Sequence, residues 1–445
     1  MTPVLLLSNG HGEDLSGALL GRELLQRGVA VEALPLVGHG HAYRQAGIPV
    51  LGRTKEFSTG GLGYTSLSGR LTELREGQYL DLLQRLALLR GRRDRLIVAV
   101  GDLLPVLVAW LSRRPSVVYL VAYASHYEGR LRLPWPCGWL LRRRRILRIW
   151  SRDPLTASDL SRQLGKDVSF LGNPFLDLVS ERQEARRAAG PPGANRSASD
   201  RAGGDPATTE GLEDDRSLPP QDDGMMERQI LAVLPGSRLP EALRNLESLL
   251  SLLSLLPAPL RRSARLTLQA ALVSSLDART VARVAAPLGW TLEGGLGEAD
   301  DHASQVLVRG EQRLQLHWGR FPTVLRGSDL VLSMTGTAAE QAVGLGKPVL
   351  QVEGPGPQFT AGFAEAQRRL LGPGLHCASG GAESLQAGAE LAATLLERLR
   401  DPLRGPSWRA ELAAVGEQRI GTPGGSTRMA EAIMDLLASR ADDPR

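Results

Sequence analysis

Apolar residues in this chain fall in short unbroken runs, each closed by a glycine-rich or polar turn and followed by a segment with helical spacing. Val4 to Leu7 is the first run; Ser8, Asn9 and Gly10 close it, and Leu15, Ala18, Leu19 and Leu24 follow up to Gly28. That order predicts strand, turn, helix. The rhythm returns at Leu96 to Val100 before Gly101, at Ser116 to Val121, and at Val168 to Leu171 before Gly172. Continuous apolar strands alternating with helices predict a parallel sheet covered on both faces. From about Ser180 to Arg228 the pattern lapses into GPPGANRSASDRAGGDPATTE and SLPPQDDG, which predicts a disordered linker. Alternation resumes with Ile230 to Leu234, Leu266 to Leu272, Leu330 to Leu332 and Pro348 to Val352. The expected organisation is a first α/β lobe over 1–179, a flexible linker over 180–228 and a second α/β lobe over 229–445, with no internal repeat.

A length of 445 residues suits two or three domains at roughly 150 residues each. With 42% hydrophobic and 23% charged residues, composition excludes collagen-like, wholly disordered and disulfide-scaffold chains. The net charge of +5 rests almost entirely on arginine, since Lys55, Lys166 and Lys347 are the only lysines. Arginine favours phosphates and anionic surfaces, which leaves nucleic acid, anionic lipid and nucleotides open as partners. Cys137 and Cys377 lack metal-ligand spacing, so no zinc site or disulfide framework is expected. The apolar opening is too short for a signal peptide or a span, and the expectation is a protein that lies on a membrane if it meets one.

In an open α/β sheet the ligand sits beyond the carboxyl ends of the strands, so the turns there are the places to search. After Leu231 to Leu234 come Pro235, Gly236, Ser237 and Arg238, offering backbone N–H groups, a hydroxyl and a guanidinium fork to an anion. An ordinary turn with Ser237 as N-cap is the alternative. After Leu330 to Leu332 come Ser333, Met334, Thr335, Gly336 and Thr337, with Glu340 one turn into the next helix. Small residues and a helix N-terminus suit a diphosphate and Glu340 suits ribose hydroxyls, although Thr337 to Glu340 also reads as a capping box. In the first lobe, His11, Glu13 and Asp14 open a helix after Gly10 and offer groups that move protons, or acids that complement the helix N-terminus. Asp102, after Gly101, is a helix cap or a base.

Between Arg130 and Trp150, three tryptophans, Trp135, Trp139 and Trp150, interleave with seven arginines, among them Arg142, Arg143, Arg144 and Arg145. This mixture suits an anionic bilayer surface, with a solvated helix face as the plainer account. No nucleic-acid-binding module accompanies it, so nucleic acid is not an expected partner.

Taken together, Gly172-Asn173-Pro174-Phe175-Leu176-Asp177, Leu234-Pro235-Gly236-Ser237-Arg238 with Glu241, and Ser333 to Glu340 resemble lipid-A-disaccharide synthase and its relatives. Gly356 to Thr360, followed by Phe363 to Gln367, is similar to proteins related to that synthase, while Ser8 to Asp14 only approximates the family's opening motif. The resemblance implies a GT-B glycosyltransferase with two Rossmann-like lobes, peripheral on the cytoplasmic face of a membrane. It implies an inverting transfer of a sugar, N-acetylglucosamine or a derivative, from a UDP donor to a lipid or glycolipid hydroxyl, with no metal or other cofactor. By the same resemblance Asp102 is the general base with His11 as second candidate. Gly236, Ser237, Arg238, Thr335, Gly336 and Thr337 hold the diphosphate, Glu340 the ribose, and Gln358 lies near the sugar. Trp135, Trp139 and Arg142 to Arg145 are the expected membrane contacts. Two other readings stand on the same fold: a UDP-sugar 2-epimerase, and a non-catalytic nucleotide-sugar or lipid-binding protein.

Overall fold

A computed structural model of the protein describes residues 3–52, 87–89, 92, 94–129, 131–180, 228–293, 305–353, 361–378 and 383–441. The linker, apart from its two end residues, and Gln358 lie outside the described residues. In the first sheet, β1 (Val4–Ser8), β2 (Val31–Pro35), β3 (Leu96–Gly101), β4 (Ser116–Leu120) and β5 (Ile146–Ser151) run parallel in the order β2-β1-β3-β4-β5. The second sheet holds β6 (Gln229–Leu234), β7 (Leu266–Leu272), β8 (Thr291–Glu293), β9 (Gln305–Arg309), β10 (Gln312–Trp318), β11 (Leu330–Ser333), β12 (Val349–Val352) and β13 (Leu375–Ala378). Their order is β13-β12-β11-β6-β7-β10-β9-β8, parallel except that β9 runs against both β8 and β10.

The central strands are buried along their whole length, as their unbroken apolar sequences require when helices cover both faces. One strand expectation does not hold. Val168 to Leu171 contributes a single bridge between Ser169 and Trp150 and then turns into the junction between lobes.

Strand order also places the ligand crevice. In each sheet the direction of winding reverses beside the first strand, between β1 and β3 in one lobe and between β6 and β11 in the other. Reversal splays the loops at the carboxyl ends and opens a crevice there. The loops at these two points are Asn9-Gly10 with Asp102, and Pro235-Gly236-Ser237-Arg238 with Met334-Thr335.

The chain's last helix departs from its sequence position. Gly425–Ala441 crosses back to the first lobe, where Met429, Ala430, Ile433 and Leu437 join the core made by Val4, Leu6, Val98 and Tyr119. The motif at Gly172 to Asp177 clamps this crossing. Asn173 donates from its backbone to the Thr422 carbonyl (3.1 Å) and from Nδ2 to the Ile420 carbonyl (3.1 Å). Asp177 accepts from the backbone of Gly424 and of Ser426, the latter at 2.8 Å. Gly172 has φ 98°, and a Cβ there would lie 2.9 Å from the Thr422 oxygen, so only glycine fits. This segment, one of those carrying the family resemblance, therefore works here as a joint. Burial pushes the Asp177 carboxyl up, against the lowering effect of its hydrogen bonds.

Candidate functional site

Two turns of the second lobe are locked into one surface. Met334 donates its backbone N–H to the Leu234 carbonyl (3.2 Å), and Asn245 donates from Nδ2 to the carbonyls of Pro235 (2.9 Å) and Met334 (3.2 Å). Gly236 has φ 107°, and a Cβ there would come within 3.0 Å of Thr335 Cγ2, so the turns approach as closely as a glycine permits. Asn245 went unnoticed in the sequence, yet it had a signal: a polar residue on the stripe Ala242, Leu246, Leu249 and Leu253 that faces the core.

Helix Gly336–Gly344 starts at this surface with Thr335 as its N-cap. The Thr335 hydroxyl is held at 2.9 Å from Ser333 Oγ and caps nothing, so no side chain among the described residues satisfies the first N–H groups of the helix. Unsatisfied donors of this kind attract a phosphate. The capping-box alternative fails, because Thr337 lies inside the helix and the Glu340 carboxylate goes elsewhere. Ser237 and Arg238 are exposed beside the turn, and no described residue pairs with the Arg238 guanidinium.

Across the crevice, Asp102 caps helix Leu103–Leu111, its Oδ1 accepting from the Leu104 N–H (2.9 Å) and from Asn9 Nδ2 (2.8 Å). Neither bond uses Oδ2. The helix-cap alternative for Asp102 thus uses one oxygen, and Oδ2 accepts nothing from a described residue. Gly101 makes the contact possible, since a Cβ there would lie 2.2 Å from Asn9 Oδ1. His11 opens helix His11–Gln26, and its side chain lies outside the described residues.

Glu13 and Asp14, adjacent in sequence, part company. Asp14 is buried and accepts from Ser8 Oγ (2.6 Å), which itself accepts from the Tyr43 hydroxyl (2.8 Å), so Asp14 fastens the helix to β1 and is withdrawn from the crevice. Burial raises the Glu13 pKa; its own backbone opposes this, Asp102 and Glu340 add to it, and Arg152 lowers it. Three carboxylates and one guanidinium from both lobes thus share one field.

Arg152, like Asn245, is not among the residues the sequence singled out. It follows β5 at a strand's carboxyl end and is only 7% exposed. Its Nη2 donates to Glu340 Oε2 at 2.8 Å and its Nη1 to the Val121 carbonyl at 3.2 Å, while the buried Nε has no partner among the described residues. Burial works against its charge, but Glu340 and Asp153 outweigh burial and hold its pKa above the ordinary value. Nearby, burial lowers the pKa of His126, whose Nε2 lies 4.0 Å from Asp153 Oδ1.

The Trp/Arg run divides. Trp150 belongs to the core of the first lobe, 1% exposed, and leaves the set of surface residues. Trp135 is 88% exposed and Trp139 46%; Trp139 meets Trp110 edge-on at 5.7 Å and carries the Arg143 guanidinium over its ring at 3.5 Å. Arg142 to Arg145 are exposed, although Arg142 also donates to the carbonyls of Leu164 (3.2 Å) and Gln163 (2.6 Å) at a helix end. Leu111, 46% exposed, extends the patch along the helix that Asp102 caps. No helix among the described residues is long and apolar enough to cross a membrane. Nor do the described residues hold a cluster of His, Cys, Asp or Glu fit for a metal ion.

No family model matches the chain, and no curated protein matches it. Solved structures do. A calicheamicin glycosyltransferase is similar at 16% identity, covering 98% of each chain, with a TM-score of 0.51. The glycotransferase of kitacinnamycin has 15% identity, covers 98% of this chain and 99% of its own, and has a TM-score of 0.51. The UDP-GlcNAc 2-epimerase of Neisseria meningitidis, solved with UDP-GlcNAc, has 14% identity, covers 98% of this chain and all of its own, and has a TM-score of 0.48. With two parallel-stranded Rossmann-like lobes facing each other across a crevice, and glycosyltransferases similar over almost their whole length, the chain has the GT-B fold.

Proposed function

We propose that the protein is an inverting glycosyltransferase that moves a sugar from a UDP donor to a lipid or glycolipid hydroxyl. The observation that carries this reading is the opposition of the two switch-point surfaces: uncapped helix N–H groups and Arg238 on one lobe, Asp102 with an unused Oδ2 on the other. A nucleoside diphosphate fits the first surface, with Gly236, Ser237, Thr335, Gly336 and Thr337 against the phosphates and Glu340 toward the ribose. A hydroxyl fits the second.

In the reaction Asp102 Oδ2 takes the acceptor proton while the acceptor oxygen forms its bond to the sugar C1. The bond from C1 to the diphosphate oxygen breaks on the opposite side, which inverts the centre, and its electron pair leaves with UDP. Arg238 and the helix N-terminus stabilise that growing charge, which other enzymes neutralise with a cation. No metal is needed in this scheme. Trp135, Trp139 and Arg142 to Arg145 dock the first lobe on an anionic membrane surface at its cytoplasmic face, and the exposed edge of helix Leu103–Leu111 leads from that surface to Asp102. Flotation with anionic liposomes tests the docking: replacing Arg143, Arg144 and Arg145 by serine should abolish it, and unchanged flotation removes the membrane from the reading.

Calorimetric titration with UDP, UDP-N-acetylglucosamine, UDP-glucose and ADP tests the donor site. Uridine-selective binding that survives EDTA and is lost in Arg238→Ala supports it; no uridine nucleotide binding sinks it. A UDP-sugar 2-epimerase is the second reading, favoured by Glu13, a carboxyl with a raised pKa beside Asp102. Release of a free epimer in the absence of any acceptor would replace transfer with that activity. UDP binding without either reaction would leave a nucleotide-sugar-binding protein.

A further inference from the structure

Glu340 and Arg152 stand 188 residues apart in the chain and meet across the crevice. Both side chains are largely withdrawn from water, at 12% and 8% exposure. An ion at such depth is stable only when paired and hydrogen-bonded, and each residue obtains its partner from the opposite lobe. The pairing is incomplete. Glu340 Oε2 is taken by Arg152, while Oε1 accepts nothing from a described residue and the side chain keeps a residual exposure. Glu340 also lies one turn beyond the uncapped N-terminus of its helix, so a nucleotide whose diphosphate sits on that terminus brings its ribose to this carboxylate.

We infer that Arg152 is a positioning residue for nucleotide recognition: reaching from the first lobe, it fixes Glu340 Oε2 and turns the carboxylate so that Oε1 receives the ribose hydroxyls. The inference rests on the donor site proposed above. A carboxylate has room for both partners, since each oxygen accepts separately. Arg152 itself is held by the Val121 carbonyl, just past the end of β4, so the carboxylate is aimed by the backbone of the other lobe. Ribose recognition is then strongest when the lobes are in the register seen here, and a nucleotide that engages Glu340 favours that register. The lobe that carries the acceptor side thereby contributes to reading the donor.

The test compares UDP with 2′,3′-dideoxy-UDP by calorimetry in the full-length protein, its Arg152→Met, Arg152→Lys and Glu340→Gln variants, and the double variant Arg152→Met/Glu340→Gln. The parent should prefer UDP by about tenfold, the scale of one hydrogen bond to a charged group. Arg152→Met should erase that preference while leaving the affinity for the dideoxy nucleotide unchanged, and Arg152→Lys should restore part of it. The double variant leaves no orphaned charge; it should melt like the parent and still bind the two nucleotides alike. A full preference retained in Arg152→Met overturns the inference. An equal weakening of both nucleotides overturns it too, since Arg152 would then act on the phosphates or on the fold. A parent that binds UDP with no ribose preference removes Glu340 from recognition, and with it this role. A parent that binds no uridine nucleotide overturns the donor site itself, a result distinguishable from all the others.

Discussion

The two faces of the crevice are built alike and charged differently. Each lies where strand order reverses beside the first strand of its sheet, and each presents a glycine turn next to a helix N-terminus. On the first lobe Asp102 itself caps the helix, so that face carries a carboxylate. On the second, Thr335 turns its hydroxyl to Ser333 and no described side chain caps the N–H groups, so that face presents the positive end of a helix. Both begin from the same backbone device: on one face a carboxylate caps the helix, and on the other a hydroxyl turned aside leaves it uncapped by any described side chain.

Substitutions can break either face separately. Asp102→Asn should cost the most, a loss of about a hundredfold or more in transfer measured by product formation. Asparagine caps a helix as well as aspartate does, so UDP affinity and melting temperature should stay at the parent values. Near-normal turnover in this variant would remove Asp102 as base. Arg238→Ala strikes the opposite face and should weaken UDP by about tenfold to a hundredfold in calorimetry, without lowering stability, since the side chain is exposed and unpaired among the described residues.

A smaller effect is expected at Asn245, which holds the two turns of the second lobe together from behind. Asn245→Leu leaves the carbonyls of Pro235 and Met334 without their donor and should cost about 1–3 kcal/mol of stability, read from denaturant unfolding. Nucleotide binding should weaken severalfold along with it. Unchanged binding would mean that the turns keep their shape without this tie.

The smallest effect sharpens the acidic face. Burial raises the Glu13 pKa, so folding favours its protonated form. The stability this contributes is complete below the ordinary glutamate value and is lost as pH rises through the raised value. Glu13→Gln should therefore melt above the parent at neutral pH, with the difference shrinking toward zero in acid. A difference that does not change with pH would show that the carboxyl does not titrate in that window.

Much of this site was legible before the fold. Gly101-Asp102, Gly236 to Arg238 and Thr335 to Glu340 all follow apolar runs, and the rule that ligands sit beyond strand ends pointed to each of them. Trp150 misled, because an aromatic among arginines reads as surface until its alternation within β5 is known, and Val168 to Leu171 resembled a strand while pairing through one bridge. The capping box at Thr337 failed by a shift of helix start, which local spacing does not settle.

By itself the sequence determined the local elements, since periodicity and turn chemistry are encoded within a few residues of one another. Two lobes, their parallel strands and the position of the glycine turns follow from that. Tertiary structure alone decided which elements meet: the last helix on the first lobe, Asn245 behind two turns, and Arg152 on Glu340. Each of those contacts joins residues far apart in the chain, and whether they form depends on strand order and on how the lobes close. A window of neighbouring residues carries no record of either.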